Sequence, residues 1–132
     1  LLSSRYDIGE LGLLDILKMD REMFRIVFRK TPIKRLKLRG LLRNACIVAG
    51  NLRETKEWGE VDDPDWLNRV KMALRSLAQC EEAIVRPHAV WALYRLFSER
   101  ASKILDESRR SEDDEATLEE YSWWEEKRAL TS

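Results

Sequence analysis

Apolar residues recur at helical spacing along almost the whole chain. Within each segment they recur at spacings of one, three and four positions, which places their side chains on one stripe of a helix. These positions include Leu13, Leu14, Leu17, Phe24, Val27, Phe28, Leu41, Leu42, Ala45, Leu67, Val70, Leu74, Leu77, Val90, Leu93 and Phe97. No stretch alternates apolar and polar residues as a half-buried strand does. The pattern therefore predicts an all-α fold.

Capping residues predict where several of these helices begin. Asp20 is suited to cap the helix that follows it, because its carboxylate can accept from free backbone N–H groups. Thr31-Pro32 and Asp63-Pro64 each place a capping residue before a proline at the first helical position. Proline is tolerated there because its missing N–H would have no helical partner. Arg86-Pro87 is expected to open a further helix.

Glycines are expected to end or divide helices. Gly40 is predicted to separate a short basic helix from a longer apolar helix, which ends at Gly50-Asn51. Residues 52–62 are polar and are predicted to form a loop. The chain therefore reads as helices joined by short connections.

A short pattern occurs twice, at residues 42–49 and 85–92. Each copy opens with an apolar residue and an arginine, Arg43 or Arg86, and small residues follow at the same offsets. The shift of 85 − 42 = 43 residues matches HEAT-type helical repeats, whose period is about 40–47. We therefore expect antiparallel helix pairs, with Arg43 and Arg86 at structural positions within the repeat. The helices at about 41–50 and 87–98 are expected to pack together through Cys46, Ala49, Ala89 and Ala92.

The formal net charge of zero hides a strongly polarised chain. A basic run from Arg25 to Arg43 holds eight basic residues and no acidic one. An acidic run from Asp106 to Glu126 holds ten acidic residues and two arginines. Ser111 with Asp114, and Thr117 with Glu120, fit capping-box spacing and are predicted to start an acidic last helix. That helix carries Trp123 and Trp124, which as neighbours face different directions, and at least one of them is expected to pack against the domain.

Composition excludes several classes of protein and site. The 132 residues suffice for one domain. No apolar run is long enough for a membrane span, and no secretory signal is present, so a cytoplasmic location is expected. The two cysteines, Cys46 and Cys80, are expected to be buried and unpaired, because no C-x-x-C occurs and the single histidine is near neither cysteine in sequence. No nucleophile motif or phosphate-binding glycine loop is found, so catalytic residues are not predicted.

Residues 24–45 resemble one particular family. They read F-R-x-x-F-R, then T-P-I-K-R, then R-G-L-L-R-N-A, and Gly50-Asn51 follows. This order is similar to the segment that joins the iron–sulfur domain of epoxyqueuosine reductases to their C-terminal HEAT-like domain. The V-R-x-x-A-x-W-A-L at residues 85–93 resembles a later helix of that domain. The resemblance covers about residues 13–97, with Leu38 at a commonly basic position and residues 98–132 matching nothing in the family pattern.

The resemblance implies a role in tRNA modification for a longer parent protein. Such enzymes use cobalamin and two [4Fe–4S] clusters to reduce epoxyqueuosine at the tRNA wobble position. This chain has two cysteines, whereas two clusters need about eight cysteine ligands. We therefore expect a non-catalytic C-terminal fragment, whose partners are the tRNA anticodon stem-loop and its own catalytic portion. Residues 1–30 would be N-terminal linking helices, 31–105 the HEAT-like repeat domain, and 106–132 an acidic helix or tail.

Four basic residues are the candidate RNA contacts. Lys34, Arg35, Lys37 and Arg39 follow a predicted helix start, where guanidinium and ammonium groups can meet phosphates. Such contacts would weaken as salt rises, because each releases condensed counterions. Other interpretations of the same charges stay open: a solvated face, or pairs with the acidic tail. The domain as a whole could also be a HEAT-type protein-interaction module, or a lid that turns its basic run toward its own catalytic domain.

Overall fold

The computed structural model describes residues 12–29, 37–55 and 63–131 of the chain. All regular structure in these ranges is helical, which confirms the all-α prediction. The helices are α1 (Leu13–Leu17), α2 (Arg21–Val27), α3 (Lys37–Gly50), α4 (Leu52–Thr55), α5 (Pro64–Leu77), α6 (Arg86–Phe97), α7 (Arg100–Ile104), α8 (Asp106–Ser111) and α9 (Glu115–Thr131).

Two of the predicted helix starts are confirmed by side-chain caps. The Asp20 carboxylate accepts a hydrogen bond from the backbone N–H of Met23 at 2.8 Å, at the start of α2. The Asp63 carboxylate accepts from the N–H of Asp65 at 3.0 Å, and Pro64 is the first residue of α5. Each cap satisfies a backbone donor that the helix cannot pair internally. The predicted start at Thr31-Pro32 lies outside the described residues.

The predicted division at Gly40 is wrong. α3 runs without interruption from Lys37 to Gly50, and it ends where the sequence predicts. A glycine inside a helix costs only about 0.5–1 kcal/mol relative to alanine, and burial of Leu42 on the same helix offsets that cost. The polar loop expected after Asn51 begins instead with the short helix α4, because Leu52 is fully buried.

The start of the last helix also differs from the prediction. α9 begins at Glu115, and the Asp114 carboxylate accepts from the backbone N–H of Thr117 at 3.0 Å and from its hydroxyl at 2.8 Å. These hydrogen bonds favour the ionised carboxylate and lower the pKa of Asp114. Ser111 ends α8 and donates its hydroxyl to the Glu107 carbonyl at 3.3 Å. Neither predicted capping box forms, because Asp114 takes the capping role.

α3 and α6 pack side by side, as the sequence predicts. Trp91 of α6 lies against Gly50 at the end of α3, and Arg53 just beyond α3 donates to the Leu96 carbonyl at 3.1 Å. These contacts advance in the same direction along both segments, so the two helices run parallel. Four small residues expected at their interface, Cys46, Ala49, Ala89 and Ala92, are all fully buried.

α9 lies along another side of α6. The Trp124 ring stacks on Tyr94 with centroids 5.0 Å apart, and Arg128 donates to the Ser102 hydroxyl further along. Trp123 stands at 86° to Trp124 and is 53% exposed, which confirms that the two tryptophans face different directions. Tyr121 is buried in the main core, so the helix array continues beyond residue 105.

α1, α5, α7 and α8 form a second layer against α3 and α6. α1 contacts both α3 and α5, and α5 contacts α6. Side chains of α5 and of the turn after it reach α8. Arg75 pairs with Glu107 at 3.4 Å, and Gln79, just beyond α5, donates to the Ser108 hydroxyl at 3.0 Å. α1, α5 and the α7–α8 segment therefore follow one another across this outer layer. In the described parts of the chain, no helix is both long enough and apolar enough to cross a bilayer.

Candidate nucleic-acid interface

The structure describes two of the four predicted RNA contacts. Lys37 and Arg39 lie in the first turn of α3, and both are exposed. Lys34 and Arg35 lie outside the described residues. No carboxylate of the described ranges forms an ion pair with Lys37 or Arg39. Their charges are therefore open to solvent and to an external anion.

The other described cations of the basic run differ in their surroundings. Arg25 pairs with Glu22 one turn earlier on α2, at 3.0 Å, and Arg29 is exposed. Arg43 is half-buried, and its Nε is enclosed without a hydrogen-bond partner among the described residues. The run of like charge in the sequence is thus not one uniform surface.

The acidic run forms its ion pairs elsewhere. Its carboxylates pair with arginines of α5, α6 and α8. The pairs are Glu107 with Arg75, Glu112 and Asp113 with Arg86, Glu125 with Arg109, and Asp106 with Arg110. A further carboxylate, that of Glu120, accepts from the Trp124 indole at 2.8 Å. Within the described residues, the acidic run does not neutralise the start of α3.

Arg86 forms the most enclosed ion pair among the described residues. Its guanidinium donates Nε to Glu112 Oε1 at 3.1 Å and Nη2 to Glu112 Oε2 at 3.0 Å, in a two-pronged geometry. Its Nη1 donates to the Cys80 carbonyl at 2.9 Å. The Glu112 side chain is only 1% exposed, and its hydrogen bonds raise the pKa of Arg86. Arg86 therefore ties the start of α6 to the segment between α8 and α9, whereas Arg43 forms no such pair in the described ranges.

Neither cysteine fits an iron–sulfur cluster. Cys46 is buried in α3, and this burial raises the pKa of its thiol to about 12. Cys80 is half-buried, its Sγ lies 3.7 Å from the Glu82 carbonyl, and burial raises its pKa too. A [4Fe–4S] cluster takes four thiolates, and this chain has two cysteines. The described residues also hold no group of three metal-binding side chains.

The cysteine environments predict ordered thiol reactivity. In the native protein at about pH 8, an aromatic disulfide reagent should modify Cys80 first, since thiolate access controls the rate. Cys46 should react only after unfolding in denaturant. Counting released chromophore with and without denaturant checks this, and Cys80→Ser should abolish the native reaction. Rapid native modification of the Cys80→Ser variant would contradict the burial of Cys46.

A second cationic surface was not predicted from the sequence. Lys71 and Arg75 of α5 face Arg100 and Lys103 of α7 across a groove of about 570 Å³. The spacing of these residues in the sequence does indicate the surface. Lys71 and Arg75 are four residues apart, and Arg100 and Lys103 are three apart, so each pair lies on one helix face. The surface was missed because uncharged residues separate the two cations of each pair, so no basic run marks it.

Comparison with family models, with curated protein sequences and with solved structures found no match to this chain. The resemblance to epoxyqueuosine reductases therefore rests on the motifs in residues 24–45 and 85–93 alone.

Proposed function

We propose that this chain is a non-catalytic, RNA-contacting domain of an epoxyqueuosine-reductase-like protein. In this proposal Lys34, Arg35, Lys37 and Arg39 contact phosphates of a tRNA anticodon stem-loop. The observation that carries it is the exposure of Lys37 and Arg39 without carboxylate partners among the described residues. Cations held close together repel one another unless an anion relieves them. The ion pairs that the acidic run forms with described residues all lie elsewhere.

The proposal includes a HEAT-like arrangement of helix pairs. Its support is the register between α3 and α6, in which contacting residues lie close to the 43-residue offset. Arg53 and Leu96 are 43 residues apart, and Asn51 and Arg95, which hydrogen-bond at 3.1 Å, are 44 apart. Stacked helix pairs of this kind bury one continuous core and leave extended faces for a ligand.

Cobalamin and the two [4Fe–4S] clusters belong, in this proposal, to a catalytic portion outside this chain. The cysteine count and the burial of Cys46 support that assignment. The contribution of this chain is to bind and orient RNA, which requires cations and shape but no redox group.

A protein-interaction module is the second candidate, and one observation favours it. α2 exposes Met23 and Ile26 beside a groove of about 660 Å³, which also reaches Leu14 and Val27. Exposed apolar side chains beside a groove are typical of protein contacts. If this is the function, the protein either does not bind RNA or binds it with an affinity that does not depend on Lys37 and Arg39 of α3.

The RNA role predicts a specific loss when its cations are removed. Changing Lys34, Arg35 and Lys37 to Ala in the full-length protein should weaken binding to an anticodon stem-loop RNA. The slope of log affinity against log salt should fall by about two to three units, at about 0.7–0.9 per lost phosphate contact. Fluorescence anisotropy over a series of salt concentrations measures both quantities.

A charge-matched control separates local contact from net charge. Arg21, Arg110 and Lys127 are exposed cations on α2, α8 and α9, and changing all three to Ala removes the same charge. This control should leave the slope nearly unchanged. Equal slopes for wild type and the Lys34, Arg35 and Lys37 variant would overturn the RNA role and favour the protein-interaction module.

A further inference from the structure

Two grooves flank α5 on the outer layer of the helix array. The first, of about 570 Å³, is lined by Lys71, Met72, Arg75, Arg100, Lys103 and Ile104. The second, of about 470 Å³, lies toward α1 and includes Lys18 and Arg69. The two grooves thus contain six cations, and no described carboxylate lines either of them.

Five of these six cations form no ion pair with a carboxylate of the described ranges. They are Lys18, Arg69, Lys71, Arg100 and Lys103. Arg75 pairs with Glu107 at 3.4 Å, but the Glu107 side chain is 68% exposed. A solvent-exposed pair of this kind contributes little free energy, so an external anion can displace Glu107. The Arg100 guanidinium lies over the Phe97 ring at 5.6 Å, which holds it near the groove.

The arrangement of the cations fits an extended ligand with two rows of charge. Lys71 and Arg75 are one turn apart on α5, and Arg100 and Lys103 are one turn apart on α7, so two rows face each other. Lys18 and Arg69 lie in the other groove, with the body of α5 between the two groups. A helix is about 10–12 Å across with its side chains. One small anion cannot contact cations on both sides of such a ridge.

The ridge itself carries groups that suit an RNA stem. Met72 is exposed at the crest and lines both grooves, and Asn68 and Ser76 line the second groove. An A-form stem presents a wide, shallow minor groove with 2′-hydroxyls, bordered by two phosphate strands. The amide of Asn68 and the hydroxyl of Ser76 can hydrogen-bond 2′-hydroxyls while the cations contact the two strands. An acidic peptide lying in one groove would offer one row of carboxylates and would leave the cations of the other groove without a partner.

We infer that the outer face of α5, with its two flanking grooves, is a second RNA-binding surface that holds the phosphate strands of an RNA stem. The surface uses residues separate from the start of α3. The inference rests on the proposed function in one respect, which is that the bound polyanion is RNA.

The test removes the cations of the first groove while keeping the start of α3 intact. Lys71, Arg100 and Lys103 are changed together to Ala, and in a second variant to Gln, in the full-length protein. Binding to an RNA stem-loop is measured over a range of salt, and the thermal midpoint verifies folding. Each variant should lower the salt slope by about two to three units. Glu107→Gln should tighten binding, because it frees Arg75 and removes a negative charge beside the groove.

Each outcome supports or overturns the inference. A loss in these variants but not in the Arg21, Arg110 and Lys127 control supports it, whatever the Lys34, Arg35 and Lys37 variant does. A loss only in the Lys34, Arg35 and Lys37 variant overturns the inference and leaves the proposed function standing. Absence of RNA binding by wild type overturns both. If polyglutamate of equal charge competes as well as the RNA stem, the surface is not selective for RNA and the inference is wrong.

Discussion

Replacing Glu112 with Gln is expected to destabilise the fold by about 3–5 kcal/mol, the cost of breaking a buried ion pair by removing one charge. The Arg86 side chain is only 15% exposed, and Glu112 accepts from two of its nitrogens. Without the carboxylate, the enclosed guanidinium keeps the Cys80 carbonyl as a hydrogen-bond acceptor, and the Asp113 carboxylate 3.9 Å away is exposed and compensates little of its charge. The free energy of unfolding from urea denaturation measures the loss.

Asp113→Asn provides a matched control one residue away. It removes the same charge from the same connecting segment, but the Asp113 side chain is 95% exposed and lies 3.9 Å from Arg86. Exposed pairs contribute about 0–1 kcal/mol, so this variant should stay close to wild type. Similar denaturation midpoints for Glu112→Gln and Asp113→Asn would contradict the structural role assigned to Arg86.

The same substitution at two glycines of α3 is expected to have opposite effects. A Cβ at Gly50 would lie within 2.9 Å of three ring carbons of Trp91, whereas a Cβ at Gly40 would meet no atom of the described residues within 4 Å. Gly50→Ala should therefore destabilise by about 1–3 kcal/mol through overpacking. Gly40→Ala should stabilise by about 0.5–1 kcal/mol, because alanine has less backbone entropy to lose in a helix. Thermal and urea unfolding of both variants check the two signs.

A double-mutant cycle tests the cause of the Gly50 effect. Trp91→Ala removes the ring that the new Cβ would meet, so Gly50→Ala should cost much less in that background. In wild type the Arg95 guanidinium lies over the Trp91 ring, 5.4 Å from its centroid, so moving the ring would also disturb this contact. An unchanged cost of Gly50→Ala in the Trp91→Ala protein would show that the helix contact is not its origin.

Local features of the fold were predictable from the sequence because they depend on neighbouring residues. Asp20 and Asp63 cap helices by bonding N–H groups two or three positions ahead, and the residue types alone suggest this. Gly40 misled the prediction because a glycine permits a break without requiring one. The sequence does not single out Asp114 as the cap, because Ser111 and Thr117 both fit the capping-box spacing. That Thr117 is buried follows from the packing of the fold and not from its neighbours in sequence.

Contacts between distant segments were only partly predictable. The 43-residue offset predicted that α3 and α6 meet, because equivalent small residues recur in both. The pairing of Arg86 with Glu112 carries no such signal, since several carboxylates nearby are chemically equivalent. The groove cations of α5 and α7 are interspersed among residues of other kinds, and only the fold places Lys71 opposite Lys103. Of the candidate RNA contacts, the exposure of Lys37 and Arg39 agrees with a binding role.

The salt dependence of RNA binding by the unaltered full-length protein tests the central claim most directly. If Lys34, Arg35, Lys37 and Arg39 each neutralise a phosphate, log affinity for an anticodon stem-loop should fall linearly with log salt, with a slope of magnitude about 3 or more. Affinity that does not change with salt, or absence of binding at low salt, would contradict a phosphate-contacting role for this domain.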